Sequence, residues 1–172
     1  MMNPEKLMEK AESSGFWLRI MNLALDRMIP FNKPHGFKIR EIGSNHVVSF
    51  IPYRKRNLNH IRGLHACALA TLTEFTTGIL MIRHLPASRY RLIMKTLEMD
   101  YHYQGKTDAV ARFELSDDWI QEKIVEPLKG HDAVVVTCEV HIHDKTGNQL
   151  TTGKVHWQVK EWSKVRTKVK SA

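Results

Sequence analysis

Glu74 is the residue with the most chemistry to offer. It sits in Ala68-Leu69-Ala70-Thr71-Leu72-Thr73-Glu74-Phe75, where almost every neighbour is apolar or small. An unpaired carboxylate in such surroundings is costly to bury, so it must be partnered, protonated or facing a cleft. The plainer reading is an ion pair with an arginine or a cap on a strand edge. The chemical one is a general base or nucleophile whose pKa is tuned by partial burial. Upstream stands Asn59-His60-Ile61-Arg62-Gly63-Leu64-His65-Ala66-Cys67, ending where an apolar helix would begin. Free backbone N–H groups at a helix N-terminus can polarise a carbonyl and hold a developing oxyanion, and Ala66 and Cys67 would supply them. Glu74 lies nine residues past His65. On one helix that is roughly 13.5 Å along the axis and about half a turn out of phase. One chain cannot bring both groups to the same carbonyl. A two-fold partner could, so a dimer is expected.

Other candidates carry less. Arg54, Lys55, Arg56 and Arg62 surround the start of this stretch. They either serve solubility or meet phosphate groups, which Arg and Lys bind well. His141, His143 and Asp144 form an H-x-H-D run. Two such histidines share one face of a strand and could suit a metal; an exposed strand face is the commoner meaning, and no metal is expected. Cys67 near a helix N-terminus could be an activated thiol, though a small core residue is the simpler reading. His65 could merely cap the helix. Trp157 and Trp162 read as core and edge residues. No G-x-x-x-x-G-K, G-x-S-x-G or paired C-x-x-C is present, which argues against a P-loop, a serine hydrolase of that type and a zinc ribbon.

The elements that must position these groups can be read from periodicity. Residues 4–12 suit a short helix with Pro4 in its first turn. Ser13 and Ser14 then offer a cap for a helix over Gly15–Met28, with Phe16, Trp17, Ile20, Met21, Leu23, Ala24 and Met28 as an apolar stripe. These N-terminal helices fill residues 1–35. Strand-like segments follow at Phe37–Ile42 and Val47–Tyr53. Residues 64–82 are apolar on nearly every face, which predicts a buried central helix. From residue 89 the period becomes two, with Leu97, Met99, Tyr101 and Tyr103 on one side. Val110–Leu115 is a further strand. Ser116–Gly130 reads as a capped helix. Val134 to Ile142 and the segment with Val155, Trp157 and Val159 are joined by the turn Asp144–Asn148. One long helix can cover a six-stranded antiparallel sheet only if the sheet curls around it. The expected class is α+β, a single domain over residues 1–172.

The chain has 172 residues, with 42% apolar and 26% charged, close to globular averages. Cys67 and Cys138 are its two cysteines; both lie in apolar stretches, which suggests buried thiols and a reducing compartment. The opening MMNPEKLMEK holds no long apolar run, and Glu74 interrupts the longest apolar stretch, so a cytoplasmic protein without membrane insertion is expected. Net charge is +8, with pI ≈ 9.6. In residues 160–172, five cations (Lys160, Lys164, Arg166, Lys168, Lys170) against Glu161 leave +4, half the excess. This basic tail lacks the interleaved aromatics of a nucleic-acid platform, so no nucleic acid is expected.

The stretch 59–74 resembles the motif of the hotdog-fold acyl-CoA thioesterases similar to phenylacetyl-CoA thioesterase. That family shows an Asn, six residues later a His followed by two glycines, and nine residues after the His an acidic residue on the helix. Asn59, His65 and Glu74 fill those positions. The resemblance implies a hotdog fold and an acyl-CoA hydrolase needing no cofactor. Glu74 would be base or nucleophile, and Asn59 and His65 would join it in the catalytic set. Amides at Ala66 and Cys67 of a partner subunit would bind the carbonyl, and Arg54, Arg56 and Arg62 would meet the coenzyme. The chain departs from the pattern in three places: Ala66 and Cys67 stand for the two glycines, and Glu74 for the commoner Asp. The Phe16-Trp17 helix and the basic loop resemble an uncharacterised hotdog branch, a domain of unknown function. A homodimer, or a tetramer, is implied. A non-catalytic acyl-CoA or acyl-chain binder on the same scaffold is the alternative.

Overall fold

The computed structural model describes residues 4–165. Two helices, α1 (Pro4–Ser13) and α2 (Gly15–Met28), precede strands β1 (Lys38–Ile42) and β2 (His46–Ile51). The central helix α3 (Ala66–His84) follows, then β3 (Tyr90–Tyr101) and β4 (Ala109–Glu114), a helical insertion over residues 117–130, and β5 (Val134–Asp144) and β6 (Gln149–Glu161). All pairings are antiparallel, and the strand order is β1-β2-β4-β5-β6-β3.

The sheet curls around α3, which packs against β2, β3, β4, β5 and β6. Every residue from Phe75 to Met81 is buried, on all faces of the helix. This helix is long and apolar enough to cross a membrane; here the inner faces of the strands cover it instead. Alternation delivers those faces. In β5, Val136, Cys138, Val140 and Ile142 point inward and their neighbours outward. Burial holds the Cys138 thiol up at about 12, which keeps it neutral.

Two bulges keep the pattern in phase where a pure period of two would lose it. In β3 the register shifts between Met94 and Thr96. Leu92 and Met94 before it, and Leu97 and Met99 after it, can then share one face although their numbers change parity. In β1 a shift between Ile39 and Glu41 does the same for buried Ile39 and Ile42. Alternation alone does not announce either bulge.

Boundaries differ from expectation for local reasons. The central helix begins at Ala66, not 64, because Leu64 bridges Leu58 and donates to the Gly105 carbonyl. It ends after His84, where Leu85 must leave the helical region ahead of Pro86. The insertion is helical as expected and is capped by Ser116, which accepts from the Trp119 N–H. Its middle, Gln121–Val125, is wound more widely than an α-helix, just before Pro127, which has no N–H to donate. Buried Ile120, Ile124 and Leu128 fix its inner face. The expected apolar stripe of α2 divides: Met21 is buried, whereas Phe16, Leu23 and Met28 are exposed.

The two edges of the sheet are unlike. On β1, Asn22 of α2 accepts from the Ile39 N–H and donates to the Ile39 carbonyl, both at 2.8 Å, so a side chain stands in for a neighbouring strand. β3, at the other edge, is paired only on its β6 side and exposes Ile93, Met94 and Tyr101. After β6 the chain forms a short turn over Trp162–Lys164, and Lys164 donates to the carbonyls of Leu128 and His131. The rest of the basic tail, residues 166–172, lies outside the described residues.

Candidate active site

Helix α3 leaves one strip uncovered by its own sheet. Ala66 and Cys67 are exposed, and Ala70, Thr71 and Glu74 are half-buried. The spacing of these residues places them on one helical face. Glu74 has no hydrogen bond or ion pair among the described residues, and burial raises its pKa above the usual 4.5. The expected alternative of an arginine partner is therefore not seen among the described residues. One turn further on, Gly78 has no side chain, so the Trp157 ring lies against the helix. Trp157 is locked there by its Nε1–H, which donates to Thr77 Oγ1 at 3.1 Å. Glu74 Oε1 is 3.8 Å from where a Cβ on Gly78 would stand. Its carboxyl thus rests beside an apolar floor, the setting that favours the protonated form and makes a stronger base once ionised.

The N-terminus of α3 is prepared by the preceding loop. Asn59 Oδ1 accepts from the N–H groups of Ile61 and Gly63. Arg62 takes a positive φ of 60°, and the Tyr53 hydroxyl donates to its carbonyl. Asn59 therefore shapes the loop that delivers Leu64 and His65. His65 is the N-cap, and its Nδ1 accepts from the Cys67 N–H at 3.0 Å. That bond sets the neutral tautomer with the proton on Nε2. It also changes the expected oxyanion site. The Cys67 amide is already occupied, whereas the Ala66 N–H has no acceptor among the described residues. Of the two amides expected to hold the carbonyl, the structure leaves Ala66 free.

Two residues of the site escaped the sequence reading. Asn57 is fully buried, and its Nδ2 donates to the carbonyls of Pro52 and His35 while its Oδ1 meets His35 Nδ1. Its carbonyl accepts from the His65 N–H at 2.8 Å, so it ties the loop to the helix start. Tyr101, at the end of β3, donates its hydroxyl to the Ala66 carbonyl at 3.0 Å. Burial, and then the nearby Cys67 thiol, raise its pKa. Tyr101 had a visible signal, its place in the inward series after Leu97 and Met99. Asn57 had none, since a polar residue in a basic loop is ordinarily exposed.

A cleft of ≈ 250 Å³ opens beside this N-terminus, lined by Phe31, Phe37, Leu58, Arg56, His65 and Cys67 among others. A shallower depression of ≈ 520 Å³ adjoins it, lined by Lys33, Pro34, Arg54, Lys55 and Arg56. Arg56 lines both. Arg54 is held in place: its guanidinium donates to the Pro34 carbonyl and lies against Gly36. Gly36 has φ +67°, a left-handed conformation that favours glycine. Arg62 lines neither depression. His141 bonds Thr152 and lies near Glu139 on the outer face of the sheet. Asp144 accepts from the N–H and hydroxyl of Thr146 and from the backbone and side-chain N–H groups of Asn148 in the hairpin turn.

The likenesses to known proteins agree with this geometry. A protein of unknown function from Pseudomonas aeruginosa, described as a probable thioesterase, superposes with TM-score 0.76 at 20% identity, over 83% of this chain and 95% of its own. A Pseudomonas aeruginosa thioesterase mutant gives TM-score 0.66 at 11% identity, over 84% and 94%. A Haemophilus influenzae thioesterase gives 0.64 at 11%, over 84% and 90%. No curated protein matches the chain. At these identities the likeness establishes the fold, a hotdog. The family model that matches is that of DUF4442, a domain of unknown function, over residues 18–159. The chain therefore belongs to the DUF4442 family, a domain of unknown function, and carries it on a hotdog fold.

Proposed function

We propose that this protein hydrolyses acyl-CoA thioesters as a homodimer with a shared site. The observation that carries the reading is Glu74, a half-buried carboxyl with no partner among the described residues, on an uncovered strip of α3. On that strip Ala66 and Glu74 are eight residues apart, roughly 12 Å along the axis. Two copies of the strip laid antiparallel would bring each Glu74 to the other chain's Ala66 N–H. The unpaired β3 edge beside the strip supplies a place for such copies to join.

In this reading Glu74 removes a proton from water as the water oxygen bonds to the thioester carbon. The carbonyl oxygen gains the electron pair and is held by the Ala66 N–H. Collapse breaks the C–S bond, and the thiolate takes the proton from Glu74. The apolar cleft beside Cys67 receives the acyl group, and Arg54 and Arg56 face the coenzyme phosphates. Two observations favour the non-catalytic alternative: His65 already occupies the Cys67 amide, and Cys67 carries a side chain where the acyl-CoA thioesterases that its motif resembles have glycine.

The test is a screen of acyl-CoAs of varied length and shape, following free thiol, with Glu74→Gln alongside. Thiol release that falls roughly 10²–10⁴-fold in the variant is the expected result. Tight acyl-CoA binding with no thiol release by the wild type would establish the binder instead.

A further inference from the structure

We propose that the outer face of α2, together with the basic loop, docks this protein on the surface of an anionic lipid bilayer. The first observation is exposed apolar area on one short segment. Phe16 is 63% exposed, Leu23 64%, Met28 68% and Phe31 65%. Phe16, Ile20, Leu23 and Arg27 follow each other at helical spacing along the side of α2 opposite Met21 and Asn22, which face the sheet. Scattered apolar residues on a surface mean little, but a run of large ones along a helix marks a contact surface.

Charge decides the occupant. Arg19 and Arg27 lie on or beside the stripe, and Lys33, Arg54, Lys55 and Arg56 follow at its Phe31 end. None of these cations has an ion pair among the described residues. The one carboxylate on α2, Asp26, is neutralised by Lys38 at 2.5 Å. An apolar stripe fringed by unpaired cations is the pattern that seats a helix at a lipid interface, the apolar side chains entering the headgroup boundary and the cations meeting anionic lipid. Leu23 and Met28 have no use in a nucleic-acid contact. A second copy of this chain would bring the same arginines against each other. Phe31 and Arg56 also line the cleft beside Cys67, so a docked molecule would open that cleft close to the lipid surface.

The docking does not depend on the catalytic reading, and the test separates them. Flotation with vesicles of phosphatidylcholine alone is compared with vesicles that also contain phosphatidylglycerol. Binding to the anionic vesicles only, weakened by added salt, is expected. Phe16→Ser with Leu23→Ser should weaken that binding by roughly ten- to hundredfold per side chain, judged by the burial each loses. Its melting temperature should be unchanged, because both residues are exposed. Glu74→Gln should float like wild type whatever its turnover. The proposal is overturned if wild type ignores anionic vesicles or binds neutral ones equally well. It is also overturned if the double variant binds undiminished, or if that variant dissolves a larger oligomer, which would make the face a contact between copies.

Discussion

Replacing Glu74 by Gln has two consequences that pull in opposite directions. Burial raises the pKa of Glu74, so the folded state holds its proton more tightly than the unfolded chain does. That contribution to stability is full below the ordinary value of 4.5 and is lost as pH rises through the raised folded value. At neutral pH the ionised carboxyl therefore opposes folding, and Glu74→Gln should melt higher there while hydrolysing thioesters more slowly. Wild-type turnover should rise with pH to a midpoint above 4.5, tracking ionisation of the base. Turnover and melting curves across pH on both proteins check this; a variant that melts lower at neutral pH would mean an unseen partner for the carboxylate. Cys67 is the second informative residue. It lines the cleft at a position where the acyl-CoA thioesterases that its motif resembles have glycine, so Cys67→Gly should widen the range of acyl groups accepted, read as a lower KM for bulky acyl-CoAs with little change for small ones.

At the scale of elements, α2 works as a substitute strand. Asn22→Ala would strip the Ile39 N–H and C=O of their partners at a buried position. A loss of about 1–3 kcal/mol is expected, measured by urea denaturation. The exposed β1 edge should also aggregate more readily. The basic loop is tested by Arg54→Ala with Arg56→Ala. If both arginines meet coenzyme phosphates as proposed, coenzyme A binding should weaken and its dependence on salt should flatten. Titrations at low and high salt that coincide with wild type would leave these arginines without a ligand role.

For the whole molecule, the asymmetry of the sheet edges points to assembly through β3. Light scattering should give twice the 20.0 kDa chain mass. Ile93→Lys with Met94→Lys, on the exposed part of β3, should yield a folded monomer that releases no thiol, because each site would lose the other chain's Ala66 amide. A wild-type monomer would remove the shared site, and an active β3 variant would remove the role of this edge.

What could be read from sequence was whatever repeats along the chain or offends its surroundings. The period of two in β5 and β6 and the all-round apolarity of α3 were enough for a sheet curled on one helix, because only that arrangement buries both. Glu74 was legible because a carboxylate among apolar neighbours needs a reason. The tertiary structure decided what depends on segments distant in sequence. Whether Glu74 has an arginine depends on which side chains the folded sheet brings near it, and it brings none. Which amide stays free depends on the direction of the His65 ring, set by a cap geometry that spacing does not encode. Asn57 is buried because two loops close over it, and Asn22 guards an edge seventeen residues away. Hydrogen bonds of this kind join groups with no periodic relation, so no pattern along the chain announces them, and only the packed molecule shows which donors and acceptors are left over for chemistry.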